Sequence, residues 1–211
     1  MLMLSHRGLW ADPAHRNTLA AFEWSFAAGF GVELDVRDAD GRLVVSHDPA
    51  RSPSVALDEF LSLYRDQGRG LPVAMNIKSC GLSGQLARQL TAAGLSHYFV
   101  FDMAVPDALD YIARGMRVFT RQSEFEPTPS FYDEAQGVWL DGFKSDWIAE
   151  QTVAEHLRAG KKVALVSPEL HGREAEPIWR RYAGMACAHT DDVLLCTDHP
   201  VQAQRWFERA H

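Results

Sequence analysis

Short runs of β-branched, aromatic and aliphatic residues recur along the chain, each followed by a stretch whose apolar positions return at helical spacing. The first run covers residues 2–6 and leads into 18–28, where Leu19, Phe22 and Phe26 form one apolar stripe. Asn17 is placed to cap this helix and Gly29 to end it. Residues 32–36 and 43–46 read as strands separated by an Asp40-Gly41 turn, and a helix over 57–66 follows. Strands at 72–78 and 98–103 precede helices at 85–93 and 106–114. A strand at 117–121 precedes a weaker helical signal at 130–135. The last three strands, 138–140, 162–167 and 193–197, lead into helices at 147–159, 175–182 and 201–210.

This alternation gives eight β/α units with short connections and no repeat or low-complexity segment. Strands that alternate with helices imply a parallel sheet covered by helices, and eight units close naturally into a barrel. The expected fold is therefore α/β, a small (β/α)8 TIM barrel formed as a single domain by residues 1–211. An open doubly wound sheet is the alternative, but no GxGxxG follows the first strand.

Composition narrows the function classes. A formal charge of -7 is unsuited to gripping a nucleic-acid backbone, so no nucleic-acid partner is expected, although one phosphate in a local cleft stays compatible. Cys80, Cys187 and Cys196 form no CxxC pair and read as buried reduced thiols. No apolar run approaches the length of a membrane span, and the opening Met1-Leu2-Met3-Leu4 is too short for a signal-peptide core, so the expected address is cytoplasmic. Nothing in the sequence sets the oligomeric state.

Candidate chemistry collects at the carboxyl ends of the strands, where barrel enzymes carry their sites. His6, Arg7, Glu33, Asp35, Asn76, Lys78, Asp102, Arg121, Asp141, Glu169 and Asp198 all stand there. Glu33 and Asp35 are two apart in a strand, so both carboxylates share one face while Val32, Leu34 and Val36 share the other. Two adjacent carboxylates repel unless a proton or cation lies between them, which suits a hard divalent ion; a salt bridge to Arg7 or Lys78 is the competing reading. Asn76 and Lys78 repeat the two-residue spacing. His6 and His47 each stand at a strand end beside a charged neighbour, and two imidazoles near a metal and cations suit displacement at phosphorus. His15, His97, His156, His189 and His211 read as structural.

The stretches Ser5-His-Arg-Gly8, Asn17-Thr18, Ala21-Phe22, Glu33-Leu-Asp35, Asp40-Gly41, Val45-Ser-His-Asp48 and Thr197-Asp-His-Pro200 resemble the glycerophosphodiester phosphodiesterase family, of the phosphatidylinositol phospholipase C-like superfamily. From about residue 80 to 190 only the rhythm of the barrel is shared. The resemblance implies a metal-dependent phosphodiesterase acting on a small-molecule phosphodiester, a glycerophosphodiester or a related lipid-derived one. It implies His6 and His47 as general acid and base, and Arg7 and Lys78 as ligands of the phosphoryl oxygens. Glu33 and Asp35 would bind Mg2+ or Ca2+. In the family a glutamate stands where Asn76 is found, so Asn76 would be a neutral third ligand, with Asp102 or Glu169 as auxiliary carboxylates. The family's capping insertion after His-Asp is also nearly absent, since a helix is expected from Leu57. Asn76 keeps open a catalytically weakened barrel that binds a sugar phosphate or lipid headgroup, and the missing insertion, which in the family helps enclose a glycerol headgroup, widens the substrate beyond a glycerophosphodiester. Ser167-Pro-Glu-Leu-His-Gly172 departs from the family too, and reads either as a substrate-contact segment through Glu169 and His171 or as a rigid turn.

Overall fold

The computed structural model describes residues 1–50 and 54–208. The expected end of the last helix at Ala210 and the reading of His211 lie outside the described residues. The chain divides into two compact units, Ser5–Val118 and Met1–Leu4 with Phe119–His211.

Strand β1 (Leu2–His6) opens the chain and runs from one unit into the other. The rest of the first unit comprises α1 (Leu19–Ala27), β2 (Gly31–Ala39), β3 (Arg42–Val45), β4 (Val55–Ala56), α2 (Leu57–Leu63), β5 (Val73–Ile77), α3 (Ser83–Ala93), β6 (Tyr98–Phe101) and α4 (Val105–Ala113). The second unit carries β7 (Phe119–Ser123), β8 (Gly137–Asp141), α5 (Glu150–Arg158), β9 (Lys162–Val166), α6 (Glu176–Ala183), β10 (Val193–Thr197) and α7 (Pro200–Glu208). The hydrogen-bonded order is β4-β3-β2-β1-β10-β9-β8-β7, with β5 joined to β2 and β6 to β5. The pairs β2–β5, β5–β6, β7–β8, β8–β9 and β9–β10 are parallel. Setting aside β3 and β4, which pair antiparallel outside β2, this is the strand order of the expected (β/α)8 TIM barrel.

Alternation along β2 and β5 fixes which side chains meet in the first unit. Val32, Leu34 and Val36 are fully buried and join Val73, Met75 and Ile77 in one core with Phe22 and Phe26 of α1, Phe60 of α2 and Leu86 of α3. Phe22 and Phe60 meet edge to face, with ring centroids 5.0 Å apart. Each such ring or branched chain contributes about 1.5–3 kcal/mol by leaving water. The same alternation puts Glu33 and Asp35 on the opposite face of β2, and the register pairs Asp35 with Asn76 on β5.

Several boundaries differ from expectation for physical reasons. Strand β2 continues to Ala39 because it forms a hairpin with β3, turning at Asp40 and Gly41, both with positive φ (49° and 75°) as a tight two-residue turn requires. The helix expected at 57–66 is α-helical only to Leu63 and continues as a π turn, Tyr64–Gly68. The helix expected at 130–135 is replaced by turns: Thr120 Oγ1 on β7 donates to Ser130 O, an irregular connection that overrides a weak local preference. The strand expected at 117–121 is shifted to Phe119–Ser123. The helix expected from Trp147 starts at Glu150, because the Trp147 indole is drawn back to donate to Asp141 O. Asn17 does not cap α1. Thr18 does, accepting from Ala21 N at 3.3 Å, and Asn17 is left-handed (φ 59°). Of the three free thiols, Cys196 is buried, Cys187 half-buried and Cys80 exposed, so the expected burial holds only for Cys196. Among the described residues no helix is long and apolar enough to cross a membrane.

Candidate active site

All the residues of the first half that carry the expected chemistry lie in the unit Ser5–Val118. His6 ends β1, and Arg7 follows it in a left-handed conformation (φ 58°). That turn is held from both sides. Arg7 N–H donates to Glu33 O at 2.9 Å and approaches Glu33 Oε2 at 3.3 Å, while Arg7 O accepts from Asn17 N–H at 2.9 Å. Gly8 (φ 89°) lets α1 approach closely, since a Cβ there would lie 2.7 Å from Ala21 Cβ.

The side chains converge on Asp35. Its carboxylate has no exposed side-chain surface, and it meets Arg7 Nε at 2.9 Å and Lys78 Nζ at 3.3 Å. Asn17 Nδ2 donates to Asp35 Oδ2 at 2.8 Å. Glu33 is equally enclosed, with His6 Nε2 3.9 Å from its Oε2. Burial and then the neighbouring Asp35 charge push the Glu33 carboxyl well above its usual range, against the opposing pull of Arg7 and Lys78. Asn76, opposite Asp35 in register, has its Oδ1 buried without a hydrogen-bond partner. The competing reading of the carboxylate pair, a salt bridge to Arg7 or Lys78, is therefore present at Asp35, with both cations rather than one.

His47 sits apart from these contacts on the segment after β3, its side chain 46% exposed. Its Nδ1 meets Asp48 Oδ1 at 2.8 Å, and its backbone carbonyl accepts from Arg37 Nη2 at 3.0 Å. The hydrogen bond to His47 lowers the Asp48 carboxyl below its usual value. Asp102 follows β6 with φ 65° and is half-buried.

In the second unit, Ser167-Gly172 forms a 3-10 turn over Pro168–His171 that Gly172 closes. Glu169 is engaged there by the hydroxyl of Ser167, by Thr197 Oγ1 at 2.5 Å and by Asp198 N–H at 3.1 Å. His171 Nε2 lies 2.6 Å from Asp141 Oδ1, and its ring packs on Phe143 with centroids 4.8 Å apart. The loop bearing Phe143 is fixed by Glu124. Burial alone would raise that carboxyl, yet the backbone amides of Lys144, Phe143 and Ser145 hold it at about 2. Sequence reasoning missed Asn17 as a site residue, because a polar residue before an apolar helix reads as a cap. Two signals were available: the better cap beside it, Thr18, and the place of Asn17-Thr18 among the stretches that resemble the family.

No protein-family model and no curated protein matches the sequence. Solved structures do share its fold. A glycerophosphodiester phosphodiesterase from Agrobacterium tumefaciens superposes with a TM-score of 0.71 at 17% identity, over 100% of this chain and 98% of its own. A glycerophosphoryl diester phosphodiesterase from Parabacteroides distasonis gives a TM-score of 0.71 at 12% identity, covering 99% and 86%. A phosphodiesterase from Oleispira antarctica, solved with the product sn-glycerol-3-phosphate, gives 0.65 at 16% identity, covering 99% and 97%. The chain thus has the fold of the glycerophosphodiester phosphodiesterases.

Proposed function

We propose that the chain is a phosphoric diester hydrolase that works with a divalent cation, Mg2+ or Ca2+, on a glycerophosphodiester or a related small or lipid-derived phosphodiester. The observation that carries this reading is the excess of cations at Asp35. A structural ion pair needs one partner, whereas Arg7 and Lys78 both converge on this one enclosed carboxylate. A cation held by Glu33 and Asp35 would take over their charge and leave Arg7 and Lys78 for an incoming anion.

The donors suit a hard cation: two carboxylates, and an amide oxygen at Asn76 that is buried without a partner. Among the described residues no three His, Cys, Asp or Glu side chains converge to hold a metal, so the ion would keep several waters, as Mg2+ commonly does. Glu33, Asp35 and Asn76 would hold it, and when bound it neutralises charge on the phosphoryl group. Arg7 and Lys78 bind the non-bridging oxygens and orient the phosphorus for attack. His6 and His47 move the protons. One takes the proton of the attacking oxygen and the other supplies one to the departing alkoxide, leaving a phosphomonoester and an alcohol. Asp48 orients the His47 ring.

A second reading has its own support: a barrel that binds a sugar phosphate or lipid headgroup without turning it over. Asn76 carries no charge, and Asp35 is already occupied by Arg7, Lys78 and Asn17. The deciding experiment is release of nitrophenol from bis(p-nitrophenyl) phosphate by the purified protein with Mg2+, Ca2+ or Mn2+, with and without chelator. Chelator-sensitive turnover is expected. Binding of glycerol 3-phosphate without turnover under any of the three ions would favour the binding module.

A further inference from the structure

We infer that Asn17 is a positioning residue that decides which oxygen of Asp35 is offered to the cation; this rests on the metal-dependent reading above. A carboxylate has about four lone-pair sites, two on each oxygen. On Asp35, Oδ2 accepts from Asn17 Nδ2 at 2.8 Å and lies 2.9 Å from Arg7 Nε, an ion pair without hydrogen-bond geometry. Oδ1 is buried without a hydrogen-bond partner, with Lys78 Nζ at the longer distance of 3.3 Å. Oδ1 thus accepts no hydrogen bond and meets only the Lys78 charge, on the face that Asp35 shares with Asn76 and its unpartnered Oδ1.

The amide of Asn17 cannot face the other way, because its oxygen would then meet the carboxylate. Its backbone is also committed, at φ 59° with its N–H on Arg7 O. Arg7 is itself left-handed, a conformation that asparagine tolerates and arginine does not favour. The strain at Arg7, which is bonded to Asn17 beside a buried charge cluster, thus lies where a site needs fixed geometry. Without the amide, Oδ2 loses its neutral donor and the carboxylate is free to rotate towards Arg7 and Lys78, which compete with a cation for its oxygens.

The test is calorimetric titration with Mn2+ of the parent protein, Asn17→Gly and Asp35→Asn, each with its melting temperature. Glycine keeps the left-handed backbone and removes only the amide. Partners that orient metal ligands are typically worth about 10–100-fold in affinity, so Asn17→Gly should bind Mn2+ at least about tenfold more weakly at a temperature where both proteins are fully folded. If the glycine variant does not fold, Asn17→Ser, too short to reach Asp35, carries the same expectation. Parent-like affinity in the Asn17 variant, with binding lost in Asp35→Asn, would overturn the inference and leave the metal reading standing. Parent-like affinity in both variants would overturn the metal reading and the inference together. Weaker binding that only tracks a fallen melting temperature would reduce Asn17 to a structural role and overturn the inference.

Discussion

Arg7 Nε and Asp35 Oδ2 form an ion pair at 2.9 Å around a carboxylate that has no exposed side-chain surface. A buried pair adds little net stability, but removing one partner leaves the other charge uncompensated, at a cost of about 3–5 kcal/mol. Asp35→Ala should therefore lower the denaturation midpoint sharply, since Arg7 and Lys78 both lose their counter-charge. Asp35→Asn loses the same charge but keeps the shape and an acceptor for Asn17, so it should destabilise less and still fold, yet lose divalent-ion binding and cation-dependent turnover. Unchanged calorimetric binding of Mg2+ in the folded asparagine variant would remove Asp35 from the proposed ligand set.

The Glu33 carboxyl, held well above its ordinary range by burial and by Asp35, has a further consequence. A cation that binds it must displace its proton, so binding should release protons and strengthen as pH rises. Titration calorimetry in buffers of different ionisation enthalpy measures this directly. In the absence of the ion the sign for folding is opposite: the native state holds the proton more tightly than the unfolded chain, so Glu33 contributes less stability as pH rises through its raised value.

Proton transfer is tested at the two histidines. His6→Ala and His47→Ala should each lower turnover by about two to four orders of magnitude, and a substrate with a good leaving group should partly restore whichever variant lost the acid. His47 is exposed and held by Asp48, so its replacement should leave the melting temperature unchanged. Losses below tenfold in both variants would favour the binding-module reading.

Asn76 lies opposite Asp35 in register with its oxygen unpartnered. Asn76→Glu should tighten Mg2+ or Ca2+ binding and keep or raise turnover. A fall in both affinity and rate would mean that another acid already fills that coordination position.

His156 governs a pH effect away from the site. Its ring is buried between Tyr132 Oη at 2.9 Å and Gln122 Oε1 at 2.8 Å, and burial lowers its proton affinity below the ordinary 6.5. The unfolded chain then binds the proton more readily, so stability is full above about pH 6.5 and is lost as pH falls towards the lowered folded value. Denaturant midpoints at pH 7.5 and pH 5.5 should show that loss, and His156→Gln should diminish it.

Period-two alternation follows from the geometry of an extended backbone, so the sharing of one face by Glu33 and Asp35, and the burial of Val32, Leu34 and Val36, could be read without a structure. The eight strands of the barrel were legible as short runs of β-branched, aromatic and aliphatic residues, while β4 was not foreseen. The 130–135 segment was not, because its local preference is weak and Thr120, distant in sequence, takes up Ser130 O. Cys80 also defied composition, since thiols are buried on average while any one position is decided by what packs on it. Among the partners of Asp35, Arg7 and Lys78 were legible as salt-bridge candidates, while Asn17 and the convergence of all three were not. Arg7, Asn17 and Lys78 come from a turn after β1, the entry to α1 and the end of β5, and only the folded chain brings them to a single carboxylate. Pattern along a chain reports which face a residue occupies. Which residues share a hydrogen bond is settled by long-range packing and by backbone turns such as those at Arg7 and Asn17, whose left-handed φ no neighbouring residue announces.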